Sequence, residues 1–197
     1  MKAGTDPRRP ASEVKLLYVD SQAGAFRDQR FEELPRLLGP SDLLVLNDAA
    51  TLPASLRAGD VEVRLAGEQP GGAFRAVLFG EGDWRTDTDL RPAPPAVVPG
   101  FRLRFADDLS ATVESISTVS PRLVSLRFQQ TGAALWAALY RHGRPVQYAY
   151  LKEPLPLDAV QTAYAARPWA SEMPSAGRPL RLPVLARLLD AGVQVAT

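Results

Sequence analysis

An amide and a carboxylate, Asn47 and Asp48, follow immediately after an apolar run of strand length, Leu43 to Leu46. An unalternating apolar run is typical of a strand that is covered on both faces. In open α/β sheets, ligands bind beyond the carboxyl ends of the strands, where such groups can exchange hydrogen bonds or protons with a bound molecule. Asn47 and Asp48 are therefore candidate site residues. The alternative interpretation, that they only turn the chain or cap the following segment, remains open.

A resemblance to a known family rests on five short motifs. The run SDLLVLNDAATLPASL at residues 41–56 resembles the GDLLVLNNTRVIPARL motif of the S-adenosylmethionine:tRNA ribosyltransferase-isomerase family of queuosine biosynthesis. Four more segments are similar to family motifs in the same order, namely DVEVRL at 60–65, PGFRLRF at 99–105, QTAYA at 161–165 and MPSAG at 173–177. Five ordered motifs are far more specific than any single one. The resemblance extends from about Lys15 to the end of the chain.

The resemblance implies a transfer reaction on tRNA. The ribosyl part of S-adenosylmethionine, the co-substrate, would pass to the aminomethyl group of a 7-deazaguanine base in tRNA, with loss of adenine and methionine and formation of an epoxycyclopentanediol. This chemistry requires a base beside the sulfonium, a proton donor for adenine and a positioned amine. Asp48 is the candidate catalytic base because it lies in the best-matched motif. A turn or capping aspartate is the alternative.

Candidate substrate-binding residues lie in the later motifs. Gln161 and Thr162 can exchange hydrogen bonds with a purine or a ribose, and Tyr164 can stack on a base. Each has a structural alternative, as a loop residue that satisfies backbone groups or as a core tyrosine. The remaining candidates are small residues that let backbone N–H groups approach a ligand and an arginine able to contact phosphate or carboxylate: Ser175, Ala176, Gly177 and Arg178. An ordinary turn before the last helix is the alternative for the small residues.

The chain departs from the family pattern at three places. Ala50 stands in place of an arginine, Asp158-Ala159 in place of Glu-Arg, and Pro179 in place of a histidine. These departures open a second hypothesis, a non-catalytic paralogue that acts as a nucleotide- or RNA-binding module. A third is a β-barrel interaction module with no small-molecule site. The resemblance covers the N-terminal portion of the family pattern, so we expect these 197 residues alone not to turn over S-adenosylmethionine.

Composition and charge bear on three properties of the protein: nucleic-acid binding, metal binding and membrane insertion. The chain has 46% hydrophobic residues and a net charge of +1, so the total charge does not indicate nucleic-acid binding. With no cysteine and one histidine, no metal site is expected. No apolar run approaches the ~20 residues that span a bilayer, which predicts a cytoplasmic protein without membrane contact, and we favour a monomer. Pairs of arginines are either solvated faces or nucleic-acid contacts: Arg102 and Arg104, Arg122 and Arg127, and Arg141 and Arg144.

The order of predicted elements indicates an α+β, multidomain fold in which an antiparallel β-barrel is inserted into an α/β domain. We predict a flexible leader at 1–13, a discontinuous α/β domain at 14–56 and 131–197 that is truncated at its C-terminal end, and a barrel at 57–130. Alternating strands separated by turn residues indicate the barrel. The predicted strands are 14–19, 26–31, 43–46, 61–65, 74–79, 101–105, 111–118, 123–128 and 146–151.

Helices are predicted in three places. A short helix is expected at 32–38. A second helix is predicted to begin after Thr131 as its cap, to bury Ala134, Leu135, Ala138 and Leu139 on one face, and to end at Gly143. The last is predicted to begin at Pro183, to cover 184–191 and to end at Gly192.

Overall fold

The computed structural model describes residues 13–197, and the predicted leader at 1–13 lies outside this range except for Glu13. Within it the strands are Lys15–Asp20 (β1), Ala25–Arg30 (β2), Leu43–Val45 (β3), Ala49–Thr51 (β4), Ser55–Ala58 (β5), Val61–Glu68 (β6), Phe74–Phe79 (β7), Arg102–Ala106 (β8), Leu109–Ile116 (β9), Leu123–Phe128 (β10), Arg167–Ala170 (β11) and Gln194–Ala196 (β12). The α-helices are Gly132–His142 (α1) and Leu182–Asp190 (α2). Short 3-10 helices cover Phe31–Arg36, Thr88–Leu90, Leu157–Val160 and Ser175–Gly177.

Six strands form an antiparallel sheet in the order β5-β6-β7-β10-β9-β8. The outermost strands, β5 and β8, contact each other without pairing, so the sheet is barrel-like and nearly closed. The five predicted barrel strands are confirmed, two of them with the predicted bounds and three with end shifts of one to three residues. The sheet begins at Ser55, two residues before the predicted start of the barrel. The fold thus combines a barrel-like sheet with few helices.

Alternation along the strands builds the main core. On β6 and β7, side chains such as Val63, Leu65, Ala76 and Leu78 are fully enclosed, as expected where every second residue faces the inside of a barrel. Helix α1 closes one end of this core with Leu135, Ala138 and Leu139. Thr131 is the residue before the helix as predicted, but its side chain makes no capping hydrogen bond.

Two short parallel strand pairs join the chain segments on either side of the barrel. Strand β3 pairs with β12, and β4 pairs with β11. A second core lies beside β3, where Leu46 packs with Leu180, Val184, Leu188 and Val193. Pro183 occupies the first turn of α2, where its missing N–H costs nothing. The parallel pairs therefore place the Asn47-Asp48 turn next to segments more than one hundred residues later in the chain.

The prediction that 43–46 is covered on both faces is wrong for its first three residues. Leu43 is 58% exposed and Val45 is 67% exposed, whereas Leu44 contacts the second core and Leu46 is buried. The strand has a partner on one edge only, β12, and its second face has no covering element within residues 13–197. A run of apolar residues therefore alternates in burial here because only one face of the strand packs against the second core.

Three other predictions need correction. Residues 146–151 are not a strand, because the Gln147 side chain bonds to the main chain of Pro145 and Leu155 and folds the segment into an irregular loop. A short helix is present where one is predicted at 32–38, but it is the 3-10 helix Phe31–Arg36 with Pro35 inside it, so its bounds need correction. Ala134, predicted to be buried, is exposed, because the face of α1 that packs on the barrel core is formed by Leu135, Trp136, Ala138 and Leu139.

A buried ion cluster lies on the outer side of the barrel sheet, because Glu62 and Arg64 alternate along β6 with the core residues Val63 and Leu65. The Arg91 side chain has no exposed surface and donates to Glu62 Oε2 at 2.6 Å, and Arg64 Nε donates to Glu62 Oε1 at 2.8 Å. Burial acts to raise the pKa of Glu62, but the hydrogen bonds from Arg64, Arg91 and Ser55 and the charge of Arg64 outweigh it, so the pKa is lowered. Glu62 is therefore held as a carboxylate by its partners.

Candidate functional site

Asn47 and Asp48 form the turn between β3 and β4. Asn47 Oδ1 accepts a hydrogen bond from the Ala49 N–H at 3.0 Å, which is the geometry of a side-chain-closed turn. The Asp48 carbonyl accepts from the N–H groups of Ala166 and Arg167 at 2.8 and 3.3 Å. Asn47 thus has the contact that the turn interpretation predicts, and the Asp48 backbone joins the turn to β11.

The Asp48 carboxylate is buried and paired. Its Oδ2 accepts from Arg167 Nε at 2.8 Å, and the residue is 7% exposed. The Arg167 guanidinium also lies 4.9 Å from the ring centroid of Trp169, which is 57% exposed. A carboxylate, a guanidinium and an exposed aromatic ring therefore follow one another at the end of the β4–β11 pair, an arrangement able to meet a charged ligand with an aromatic face.

Gln161 holds β4 in place. Its Oε1 accepts from the Thr51 N–H and its Nε2 donates to the Thr51 carbonyl, both at 2.8 Å. The Thr51 hydroxyl donates to the Val160 carbonyl at 2.7 Å. The Gln161 amide thus bonds to β4 as a neighbouring strand would. These contacts agree with the alternative that Gln161 is a loop residue that satisfies backbone groups.

Replacing Gln161 with alanine is expected to destabilise the fold by about 1–3 kcal/mol, because two buried main-chain groups of Thr51 lose their partner. Denaturant unfolding measures the change. The matched control is Gln22→Ala on the exposed β1–β2 turn, which should stay within about 0.5 kcal/mol of the unmodified protein. Equal losses in the two variants would contradict the role of Gln161 in holding β4.

Tyr164, Thr162 and Gly177 meet at one place. An alanine Cβ at position 177 would lie 2.0 Å from the Tyr164 hydroxyl and 3.3 Å from Thr162 Cγ2. Gly177 is therefore required by the approach of Tyr164, whereas Ser175 and Ala176 are exposed. Tyr164 packs against the second core, and burial raises the pKa of its phenol. These contacts agree with the core and turn alternatives for Tyr164 and Gly177.

Gly177→Ala is expected to cost about 1–3 kcal/mol of stability, because the new methyl group overlaps the Tyr164 hydroxyl. Adding Tyr164→Phe removes that hydroxyl, so the double variant should recover part of the loss in a thermal or denaturant unfolding series. Gly39→Ala is the matched control, since its Cβ would have no atom within 4 Å. An additive double variant would show that the clash is not the cause.

A cavity of about 470 Å³ lies beside these residues. It is bounded by the Leu157–Val160 turn, the segment after it and the start of α2, and it is lined by Asp158, Ala159, Gln161, Thr162, Ala163, Arg178, Arg181, Leu182 and Pro183. The structure thus brings three predicted residues together in one cavity, Gln161, Thr162 and Arg178. Its lining does not include Asn47, Asp48, Tyr164 or the Ser175–Gly177 turn.

The predicted arginine pairs contain several arginines that form surface ion pairs. Arg104 bonds to Asp107 at 2.6 Å, Arg127 pairs with Glu114, and Arg141 pairs with Asp108. The lone histidine, His142, also contacts Asp108. Intramolecular acidic partners reduce the charge that these arginines present to a polyanion. The clusters therefore agree better with solvated faces than with a continuous phosphate-binding stripe.

Two kinds of feature are missing from residues 13–197. No three His, Asp or Glu side chains in this range are grouped so that they could hold a metal ion. None of the helices in the same range is long and apolar enough to cross a membrane.

The family model that matches the chain is described as queuosine biosynthesis protein, and the match covers residues 2–197. The chain belongs to this family. An enzyme of Rubrobacter xylanophilus named S-adenosylmethionine:tRNA ribosyltransferase-isomerase is 32% identical, over 96% of this chain and 53% of its own length. Enzymes of the same name from Thermus thermophilus and Rhodospirillum rubrum are 33% and 34% identical, over 98% and 96% of this chain and 54% and 52% of their own lengths.

The queuosine biosynthesis protein family includes relatives that are longer than this chain. The chain spans about half the length of the curated relatives it matches. The crystal structure of S-adenosylmethionine tRNA ribosyltransferase from Thermotoga maritima matches 98% of this chain and 52% of its own, with 20% identity and a TM-score of 0.38.

Sequence reasoning missed three charged residues near the candidate site. Arg167 pairs with Asp48, and Asp158 and Arg181 line the cavity. Asp158 was visible only as a departure from the family pattern. Arg181 follows Arg178 by three positions at the start of the predicted helix, which is the one signal that could have identified it. Nothing in the sequence indicated that Arg167 would face Asp48 across a parallel strand pair.

Proposed function

We propose that the protein is a tRNA-modifying enzyme that transfers and rearranges the ribosyl moiety of S-adenosylmethionine onto 7-aminomethyl-7-deazaguanine in tRNA. The observation that carries the proposal is the similarity at 32–34% identity, over nearly the whole chain, to enzymes named for this reaction. Five motifs in family order support it. S-adenosylmethionine is then the co-substrate and tRNA the partner, and no metal takes part.

Asp48 is proposed as the group that removes the proton beside the sulfonium. It is a carboxylate in the best-matched motif, and its Oδ2 is fixed by Arg167. A fixed carboxylate is suited to proton abstraction when the substrate lies within hydrogen-bond reach of its other oxygen. Gln161 supports this geometry indirectly, because it holds the strand that follows Asp48. Asn47 closes the turn on which the carboxylate is carried.

The remaining candidate residues are proposed to bind the substrates. Thr162 and Arg178 line the cavity that lies next to the contact between Tyr164 and Gly177. The volume of about 470 Å³ lies in the range of pockets for small molecules. In this proposal Ser175 and Ala176, which are exposed, lie where a long substrate such as tRNA can reach them.

The test is release of adenine from S-adenosylmethionine, measured with the natural protein that carries this chain and with tRNA containing the aminomethyl-deazaguanine base. Turnover that depends on both substrates is the expected result. Adenine release without that tRNA would contradict the acceptor. A protein that binds the tRNA but releases no adenine would instead support a non-catalytic RNA-binding paralogue.

We also propose the domain arrangement that the sequence predicts, with a discontinuous α/β domain at 14–56 and 131–197 around a barrel at 57–130. The parallel pairs β3–β12 and β4–β11 support it, because each joins a strand before the barrel to one after it. The hydrophobic cluster beside β3 supports it as well, because all of its residues come from the two outer segments. Limited proteolysis that releases an intact fragment near 57–130 is the expected result.

Cytoplasmic location and a monomeric state complete the proposal. A tRNA substrate supports the first. Size-exclusion chromatography with light scattering tests the second, and a mass of about 21.4 kDa for this chain is the expected result.

A further inference from the structure

The cavity next to α2 differs in chemistry from the turn that carries Asp48. Its walls come from two places, the Leu157–Val160 turn with the residues after it and the segment that leads into α2. The Asp48 turn contributes no side chain to it. Whatever occupies the cavity therefore meets a different set of groups from those proposed to perform the proton transfer.

The cavity presents charges of both signs. Asp158 contributes a carboxylate and Arg181 a guanidinium, and both residues are exposed to solvent. Within residues 13–197 neither Asp158 nor Arg181 forms an ion pair with a charged side chain. Arg178 adds a second, partly buried guanidinium. A simple anion such as phosphate would use the arginines but would be repelled by Asp158, whereas a ligand that carries an ammonium and a carboxylate uses both signs.

A buried hydroxyl in the wall has no partner. Thr162 is 5% exposed and lines the cavity, and its Oγ1 makes no hydrogen bond within the described part of the chain. Its Cγ2 faces the contact with Gly177 instead. A buried hydroxyl without a hydrogen-bond partner is unfavourable, so a ligand oxygen that accepts from it gains binding free energy.

The position of α2 adds to the preference for a carboxylate. This nine-residue helix begins at Leu182, and Leu182 and Pro183 line the cavity. The N-terminal end of a helix carries partial positive charge. Arg181 stands immediately before the helix, so its guanidinium and the helix terminus act on the same side of the cavity.

We propose that this cavity binds the α-amino acid end of S-adenosylmethionine, with Arg181 and the Thr162 hydroxyl on its carboxylate and Asp158 on its ammonium group. The inference rests on the proposed function for its choice of ligand. The apolar Ala159, Ala163 and Pro183 in the lining suit the methylene groups next to the charged ones. Arg181, Thr162 and Asp158 orient the co-substrate and take no part in bond breaking.

Calorimetric titration of the natural protein with two ligands tests the proposal. S-adenosylmethionine carries the amino acid end, and 5′-methylthioadenosine lacks it. Arg181→Gln, Asp158→Asn and Thr162→Val are each expected to weaken binding of S-adenosylmethionine, the charged variants by about tenfold or more. Binding of 5′-methylthioadenosine should stay within about twofold in all three. Arg187→Gln, an exposed arginine on the same helix, is the matched control and should change neither affinity.

Other outcomes would overturn the inference. Equal weakening of both ligands would show a structural effect, and unchanged affinities would place the amino acid end elsewhere. Inorganic phosphate or an RNA oligonucleotide that competes with S-adenosylmethionine, sensitive to Arg181→Gln but not to Asp158→Asn, would indicate a phosphate site. Failure of the proposed function is distinguishable, because adenine release could be absent while the two-ligand difference persists.

Discussion

Asp48→Asn is expected to lower the rate of adenine release by about 10²–10⁴-fold, the usual contribution of a positioned general base. Asparagine keeps the shape of the side chain and can still accept the hydrogen bond from Arg167, but it cannot take a proton. The fold should change little for the same reason. Adenine release under saturating substrates measures the effect, and the melting temperature of the variant should stay within a few degrees of the unmodified protein.

A loss of activity in Asp48→Asn has two explanations: Asp48 is the base, or Asp48 only pairs with Arg167. The variant Arg167→Gln separates them. If Asp48 acts as the base, removal of its partner alters orientation only and costs far less activity than Asp48→Asn. If Asp48 acts only by pairing with Arg167, both variants lose activity to the same degree. The Arg167 side chain is half exposed, but its partner Asp48 is buried, so its loss should cost about 1–3 kcal/mol of stability. Retention of activity in Asp48→Asn would remove Asp48 from the mechanism.

The strands of the barrel could be predicted because they are long enough to show their pattern. Strands β6 and β9 have eight residues each, and in each strand the first, third and fifth residues are buried. A strand of three or four residues cannot show a period of two. Strands β4, β5, β11 and β12 are not among the predicted strands for this reason.

The sequence does not predict which side chains pair over long distances along the chain. Gln161 looked like a ligand contact, yet its amide bonds to Thr51, which lies 110 residues earlier. The pairing of Glu62 with Arg91 was equally hidden, because neither residue stands in a pattern that predicts an internal charge. Burial of a charged group depends on which loop folds over it, and the local sequence does not predict which loop that is.

The loop after β7 is fixed by Arg91. Besides its ion pair with Glu62, the guanidinium donates to the carbonyl groups of Gly80 at 2.7 Å, Asp83 at 3.2 Å and Glu81 at 3.3 Å. All these contacts lie at the end of β7 and in the segment that follows it. One fully buried side chain thus satisfies three main-chain carbonyls and one carboxylate.

Arg91→Ala is accordingly expected to lower the free energy of unfolding by about 3–5 kcal/mol, the cost of leaving a buried charge without its partner. Arg104→Ala is the matched control in the same sheet, since its ion pair with Asp107 is exposed, and it should cost less than about 1 kcal/mol. Urea unfolding of both variants gives the comparison. Equal losses would show that the Arg91 cluster contributes no more than a surface pair.

The same cluster makes stability depend on pH. Because the pKa of Glu62 is lower in the folded state than its ordinary value of 4.5, its contribution to stability is present above pH 4.5 and is lost as the pH falls through the lowered pKa. Glu62→Gln removes this titrating group and should flatten the decline of stability below about pH 4.5, while lowering stability at neutral pH. A decline of the same steepness in Glu62→Gln and in the unmodified protein would assign the acid sensitivity to other carboxylates.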